Sequence, residues 1–221
     1  MQTSLFRILG PIMIGPSSSH TAGAERIGRA AHIIAGGDVT EVTFQLHGSF
    51  AQTGKGHGTD RALIAGVLGL SPDDERIKYS YELAKERGLQ VHFETADLGE
   101  VHPNTVRMLL KKADGTELTV TGSSVGGGNI SIININGVES ELSGDFAAGI
   151  VTHYDKLGMI SRITRTLANH GVNIVTLRHK RESKGSIATT MIEVDQNFPP
   201  ECVTELNELD GILSVITTEK F

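Results

Sequence analysis

Apolar and polar positions along the 221 residues fall into two kinds of pattern. Over residues 148–221 they predict strand, helix, strand, strand, helix, strand. GIVTHYD is a short apolar run, after which Leu157, Ile160, Ile163 and Leu167 recur three and four apart, as on one face of a helix. Asn169-His170-Gly171 ends that helix, with Gly171 placed for a left-handed cap. VNIVTLRHKR and SIATTMIEVD are β-branched and partly alternating, joined by Ser183-Lys184-Gly185 as a hairpin turn. Pro199-Pro200 opens a second helix carrying Cys202, Val203, Leu206 and Leu209 on one side, and ILSVITT closes the unit. This order predicts a ferredoxin-like βαββαβ domain, a scaffold that hosts many unrelated functions.

Residues 1–147 predict a different, mixed α+β domain without clean βαβ alternation. Residues 24–35 carry Ile27, Ala31 and Ile34 on one face, a helix left at Gly36-Gly37. EVTFQLHG reads as a strand, residues 60–70 as a short apolar helix and residues 73–87 as an amphipathic one stopped by Gly88. Strands follow: LQVHFE, then TVRMLLKK and ELTVTGS joined at Asp114-Gly115, then NISIINI and VESEL joined at Asn136-Gly137. Both dipeptides are strong hairpin signals.

Composition separates the two halves further. Of 26 glycines, 22 lie in residues 1–149 and 4 in residues 150–221, which places the join near residues 143–149. One cysteine, Cys202, excludes a disulfide scaffold and any zinc ribbon or iron–sulfur site built from this chain alone. No stretch approaches the ~18 uninterrupted apolar residues of a membrane span. The first 20 residues lack the basic start and small-residue end of a signal peptide. A net charge of −6 and no Lys/Arg block argue against nucleic acid and anionic membranes. The expectation is a cytoplasmic, globular protein.

Three polar stretches carry the candidate chemistry. In the first, Gly15-Pro16-Ser17-Ser18-Ser19-His20-Thr21-Ala22-Gly23, one hydroxyl would suffice to cap the following helix, and four hydroxyls with an imidazole exceed that need. A helix start of this kind suits a carboxylate or phosphate. The second, Gly54-Lys55-Gly56-His57-Gly58-Thr59-Asp60, reads as a loop before a helix in which two glycines let the ring of His57 project. It is not a Walker loop, since no Gly-Lys-Ser/Thr closes it. The third, residues 122–129, reads as a flexible strand connection or a close-approach surface. A Ser-His-Asp hydrolase fits poorly, because Ser19 and His20 are adjacent and G-x-S-x-G is missing. A pyridoxal enzyme would have to use Lys55, whose flanks are unpersuasive. Histidine bases beside an anion site suit proton abstraction next to a carboxylate. Loss of a hydroxide besides would call for a Lewis acid, which this chain does not supply.

The stretch Asp155-Lys156-Leu157-Gly158-Met159-Ile160, followed by Ile163, Leu167 and Gly171-Val172-Asn173-Ile174, resembles the ACT domain, a small-molecule regulatory module. That resemblance implies an amino-acid effector held by Gly158, Met159, Ile160, Asn173 and Ile174, and self-association, since such modules commonly bind between two domains. GPSSSHTAGAERIGRAA, HGSFAQTGKGHGTDRALIAGVLG, VHPNT and the third glycine stretch resemble the β chains of the two-subunit, iron–sulfur-dependent bacterial L-serine dehydratases. The N-terminal domain is also similar to the allosteric substrate-binding domain of some phosphoglycerate dehydrogenases.

The dehydratase resemblance implies conversion of L-serine to pyruvate and ammonia, with a partner α chain. It further implies a [4Fe–4S] cluster held by α-chain cysteines, with no metal ligand in this chain. Carried over by motif, Ser17, Ser18, Ser19 and Thr21 would line the substrate pocket, with Gly126, Gly127 and Asn129 from the third stretch. His57 would be the catalytic base, with His20 assisting or holding substrate. Asp60 could orient His57 or serve as a first-turn acid of its helix. His102, Pro103 and Asn104 match a family motif without a stated role, and His47 lies near the pocket in this reading. His32, His92, His153, His170 and His179 read as structural. The competing reading is a non-catalytic regulatory subunit that binds amino-acid effectors.

Overall fold

The computed structural model describes residues 15–181 and 183–220. The expectation that no signal peptide precedes the domain falls on residues outside this range. The chain forms two compact units, Met1–Ser143 and Gly144–Phe221.

The first unit is a six-stranded sheet with helices against one face. A π-helical turn, Ser18–Ala22, runs directly into α1 (Gly23–Ala35). Strand β1 (Val39–Leu46) follows, then α2 (Gly48–His57) and α3 (Thr59–Val67). A 3-10 turn (Glu75–Tyr79) and α4 (Ser80–Glu86) lead to β2 (Gln90–Thr95). The rest is a meander of β3 (Thr105–Lys112), β4 (Glu117–Gly126), β5 (Asn129–Ile135) and β6 (Val138–Leu142). Strand order is β2-β1-β3-β4-β5-β6. Only β1 and β2 pair in parallel among these neighbours, which is why the helices lie between them: a parallel pair needs a long crossover.

Close approach of backbone fixes the helical layer. A Cβ on Gly28 of α1 would stand 2.5 Å from the Leu63 carbonyl oxygen of α3, and one on Gly66 would collide with the Glu25 carbonyl. The crossing of α1 and α3 therefore needs glycine on both sides. On the sheet, a Cβ at Gly122 would meet Ile27 Cγ2 at 2.7 Å, so this glycine lets α1 settle onto β4. Ile27, Phe44, Leu63, Met108 and Ile132 form the dry centre.

The second unit comprises β7 (Ala147–Tyr154), α5 (Met159–Asn169), β8 (Ile174–Arg181), β9 (Ile187–Val194), α6 (Pro200–Glu208) and β10 (Ile212–Thr218). The sheet order β10-β7-β9-β8 is antiparallel throughout, the split βαβ arrangement expected of a ferredoxin-like unit. Met159, Ile163 and Leu167 of α5 pack on Val151 and Ile192, together with Cys202 and Leu206 of α6. Cys202 is thus a core residue, and burial, with Glu205 nearby, holds its thiol above the usual range.

Three expectations need correction. Residues 54–57 are the last turn of α2 rather than a loop, and Gly58, at φ 71°, is the left-handed joint between α2 and α3. Residues 122–126 belong to β4, so the third glycine stretch is mostly strand. The amphipathic helix expected over residues 73–87 divides into the 3-10 turn and the short α4.

Candidate active site

Helix α2 carries Ser49, Thr53 and His57 four residues apart, so their side chains share one stripe. His20, delivered by the π turn, lies against that stripe. Its Nε2 is 3.1 Å from Ser49 Oγ and 3.0 Å from Thr53 Oγ1. The Thr53 hydroxyl donates its one proton back to the Ser49 carbonyl at 2.9 Å. Its oxygen can then only accept, which places the His20 proton on Nε2. Phe50, fully buried, meets the His20 ring edge-on at 5.4 Å between centroids.

His57 sits at the end of the same stripe, exposed, with its ring centroid 5.0 Å from that of His20. Its Nδ1 stands 3.1 Å from the Thr53 carbonyl. A carbonyl only accepts, so Nδ1 carries the proton and the neutral ring keeps its lone pair on Nε2. Two hydroxyls lock the histidine-bearing segments together. Thr21 Oγ1 donates to the His57 carbonyl at 3.1 Å, and Thr59 Oγ1 to the His20 carbonyl at 2.9 Å. Burial, then the neighbouring His57, lowers the pKa of His20 below its ordinary 6.5. The arrangement therefore offers an exposed, tautomerically fixed imidazole beside a neutral one that resists a second proton.

The hydroxyls of the first stretch divide their work. Ser17 Oγ accepts from the His20 N–H at 3.1 Å, the capping role that a single hydroxyl can fill. Thr21 is buried and structural. Ser18 and Ser19 are half-buried, and among the described residues neither side chain has a hydrogen-bond partner. Gly126 ends β4, Gly127 forms the turn and Asn129 begins β5. None of the three hydrogen-bonds to either histidine, but Arg26 of α1 reaches the Gly128 carbonyl at 2.9 Å and ties the turn to the helix.

The remaining residues singled out by the sequence take other places. Asp60 accepts from Tyr81 Oη at 2.9 Å and does not touch His57. His47 occupies the N-cap position of α2 and accepts from the Leu98 N–H at 3.2 Å through Nδ1. The Pro103 carbonyl accepts from the Ser49 N–H at 2.8 Å, and His102 Nδ1 accepts from the Asn104 N–H at 3.1 Å, so this motif buttresses the start of α2. The side chain of Lys55 lies outside the described residues. Ser49 and Thr53 were missed by sequence reasoning. Their signal was the four-residue spacing to His57, hidden when Gly54 and Gly56 were read as loop.

In the second unit, Gly158, Met159 and Ile160 line a cavity of about 440 Å³ that also receives His153 and His179. Asn173 lies elsewhere, donating to Asp195 Oδ2 at 2.5 Å, and Ile174 packs at the core edge. Among the described residues no group of three or more His, Cys, Asp or Glu side chains could hold a metal ion.

Residues 4–90 match the family described as serine dehydratase beta chain, and residues 149–211 match the ACT domain. The chain is 46% identical to a protein of Peptoniphilus asaccharolyticus named L-serine dehydratase, beta chain, over 87% of each. It is 44% identical to the probable L-serine dehydratase, beta chain, of Bacillus subtilis over 96% of each. A more distant likeness, 26% identity, links 80% of the chain to 34% of the D-3-phosphoglycerate dehydrogenase of Bacillus subtilis.

Proposed function

The chain belongs to the serine dehydratase beta-chain family and ends in an ACT domain, and from that premise we propose that it is the β subunit of an L-serine dehydratase. In this reading it completes, with an α chain, a site that converts L-serine to pyruvate and ammonia. The observation that carries the proposal is the His20–His57 pair anchored on the Ser49–Thr53 stripe.

A [4Fe–4S] cluster is the cofactor the family reading implies, and this chain's residues do not fit one. Its single cysteine is buried in the ACT-domain core, where burial disfavours the thiolate a cluster needs. The cluster of this reading belongs to the α chain.

The chain's own residues supply positioning and proton transfer. Loss of water from L-serine requires removal of the Cα proton, and the free Nε2 lone pair of His57 is the base for it. His20, kept neutral by burial and by its neighbour, lets the proton rest on His57 without shuttling away. Ser18 and Ser19 would hydrogen-bond the substrate carboxylate at the head of the α1 segment, a role supported by their half-buried hydroxyls having no partner among the described residues. The exposed stripe is the surface the α chain covers, which excludes water and strengthens these contacts.

The test is reconstitution of the α–β complex with His57→Ala. Loss of pyruvate formation with iron retained supports the reading. If the variant only alters serine dependence, the chain is a regulatory subunit that binds effectors and performs no chemistry.

The ACT domain is proposed to sense L-serine or another amino acid. Asn173 precedes β8, while His179 and Arg181 of the cavity lie toward its far end, about 20 and 26 Å away at roughly 3.3 Å per residue. Both can touch one ligand only if a second copy brings its own Asn173, so the domain self-associates. Light scattering that finds a strict 1:1 α–β complex with effector bound would sink this part.

A further inference from the structure

Hydrogen-bond directions inside the ACT-domain cavity are fixed by counting protons. His153 is 1% exposed, and its Nδ1 lies 2.9 Å from the Tyr154 carbonyl. The carbonyl only accepts, so Nδ1 donates and Nε2 of the neutral ring carries the lone pair. That Nε2 lies 2.9 Å from Thr190 Oγ1 and must receive the hydroxyl's single proton. The Thr190 oxygen is left to accept, and its other neighbour is His179 Nδ1 at 3.0 Å. The chain therefore runs from His179 through Thr190 and His153 to the Tyr154 carbonyl. It leaves the His179 lone pair on Nε2. Protonating His153 would reverse Thr190 and break the chain, whereas His179 can gain a proton on Nε2 without moving any partner.

The surroundings favour an anion next to that nitrogen. Lys156, Arg181 and Lys184 line the cavity with one lining carboxylate, Asp155. Arg181 pairs with Asp155 at 3.0 Å, and Lys156 with Asp210 at 3.2 Å. Gly158, at φ 82°, is the N-cap of α5 and offers no side-chain acceptor to its first turn. The α5 dipole thus adds positive potential where a carboxylate would enter.

We propose that His179 is a proton-gated contact for the carboxylate of the amino-acid effector, gaining its Nε2 proton as the carboxylate binds. This rests on the effector reading above and adds its regulation: affinity rises as the pH falls. Partial desolvation of the ring, then the neighbouring His153, lowers the pKa of His179 from 6.5. Without ligand the ring is neutral at pH 7, and a bound carboxylate raises that pKa. The stacked rings, 5.5 Å apart and 18° from parallel, make His153 the neutral support for the charge.

The experiment is a titration of the full chain, with 15N-labelled histidine, by L-serine and separately by acetate across pH. We expect the His179 pKa to rise about one unit with L-serine, and affinity to be about tenfold tighter below that pKa than above it. Acetate should move the same nitrogen in the same direction. Thr190→Val should let His179 populate both tautomers, and His179→Gln should leave binding without pH dependence. If L-serine shifts the Gly158 and Ile160 amides while His179 keeps its pKa, the effector reading stands and the proton gate is wrong. If neither the amides nor the ring responds to L-serine, both fall.

Discussion

His20 and His57 stand 5.0 Å apart between ring centres, and a single residue, Thr53, holds both: its hydroxyl meets His20 Nε2 and its carbonyl meets His57 Nδ1. Thr53 is thus a positioning residue for two imidazoles. Valine keeps the shape and the carbonyl but deletes the hydroxyl. For Thr53→Val in the α–β complex we expect kcat to fall about five- to tenfold, the worth of one neutral hydrogen bond, with KM within twofold. Thr53→Ser should recover most of the loss. A fall in KM affinity with unchanged kcat would show that Thr53 serves binding instead.

The same proximity makes the two rings compete for charge. The charge His57 can carry is one cause of the lowered His20 pKa, after burial. Replacing His57 with Gln removes that repulsion, so the His20 pKa should move up toward 6.5 while staying below it because burial persists. NMR titration of the His20 Cε1 proton reads this directly. A His20 pKa that falls in His57→Gln would contradict the geometry.

Much of this architecture was legible in the sequence. The Asn136-Gly137 turn holds because both residues, at φ 51° and 81°, adopt the left-handed conformation that such dipeptides favour, whereas at Asp114-Gly115 only Gly115, at φ 84°, does so. Of the stripe read on α5, Ile163 and Leu167 needed only local periodicity and are buried, whereas Leu157 precedes the helix and it and Ile160 are exposed, Met159 taking the buried place in the first turn. Helix α2 was not. Glycine inside a helix costs about 1 kcal/mol against alanine, so Gly54 and Gly56 argue locally for a loop. Tertiary contact overrides that preference: Gly54 packs against Thr59, and Thr21 clamps the His57 carbonyl. The site residues Ser49 and Thr53 disappeared with the helix that aligns them.

The α1–α3 crossing predicts a sharp response to one methyl group. A Cβ at Gly28 would face the Leu63 carbonyl oxygen at 2.5 Å and Gly66 Cα at 3.1 Å, backbone on both counts and unable to turn aside. Gly28→Ala would gain about 1 kcal/mol of helix propensity if exposed, and here should instead lose about 1–3 kcal/mol to overpacking. Urea unfolding of the chain checks the sign, and a stabilised variant would mean that the helices separate easily. Because α3 carries Thr59, which bonds the His20 carbonyl, the variant should also weaken the His20–His57 contact.

Glu25 gives the last prediction, on α1 between the two features just described. It is fully buried, and among the described residues neither carboxylate oxygen has a hydrogen-bond partner. Burial pushes its pKa up to about 8, against smaller opposing effects of Arg29 and Arg26. The folded chain therefore holds a proton that the unfolded chain, near 4.5, has released. Between those values folding takes up a proton, so stability falls as the pH rises, by at most about 1.4 kcal/mol per unit. Below the unfolded value this contribution is complete, and it is lost as the pH passes the folded one. Glutamine has nearly the same shape and never ionises. Glu25→Gln should match the parent near pH 4 and exceed it progressively toward pH 8, visible as a widening gap in urea midpoints. If parent and variant instead run parallel across that range, Glu25 is ionised in the folded protein and an unseen counter-charge must hold it.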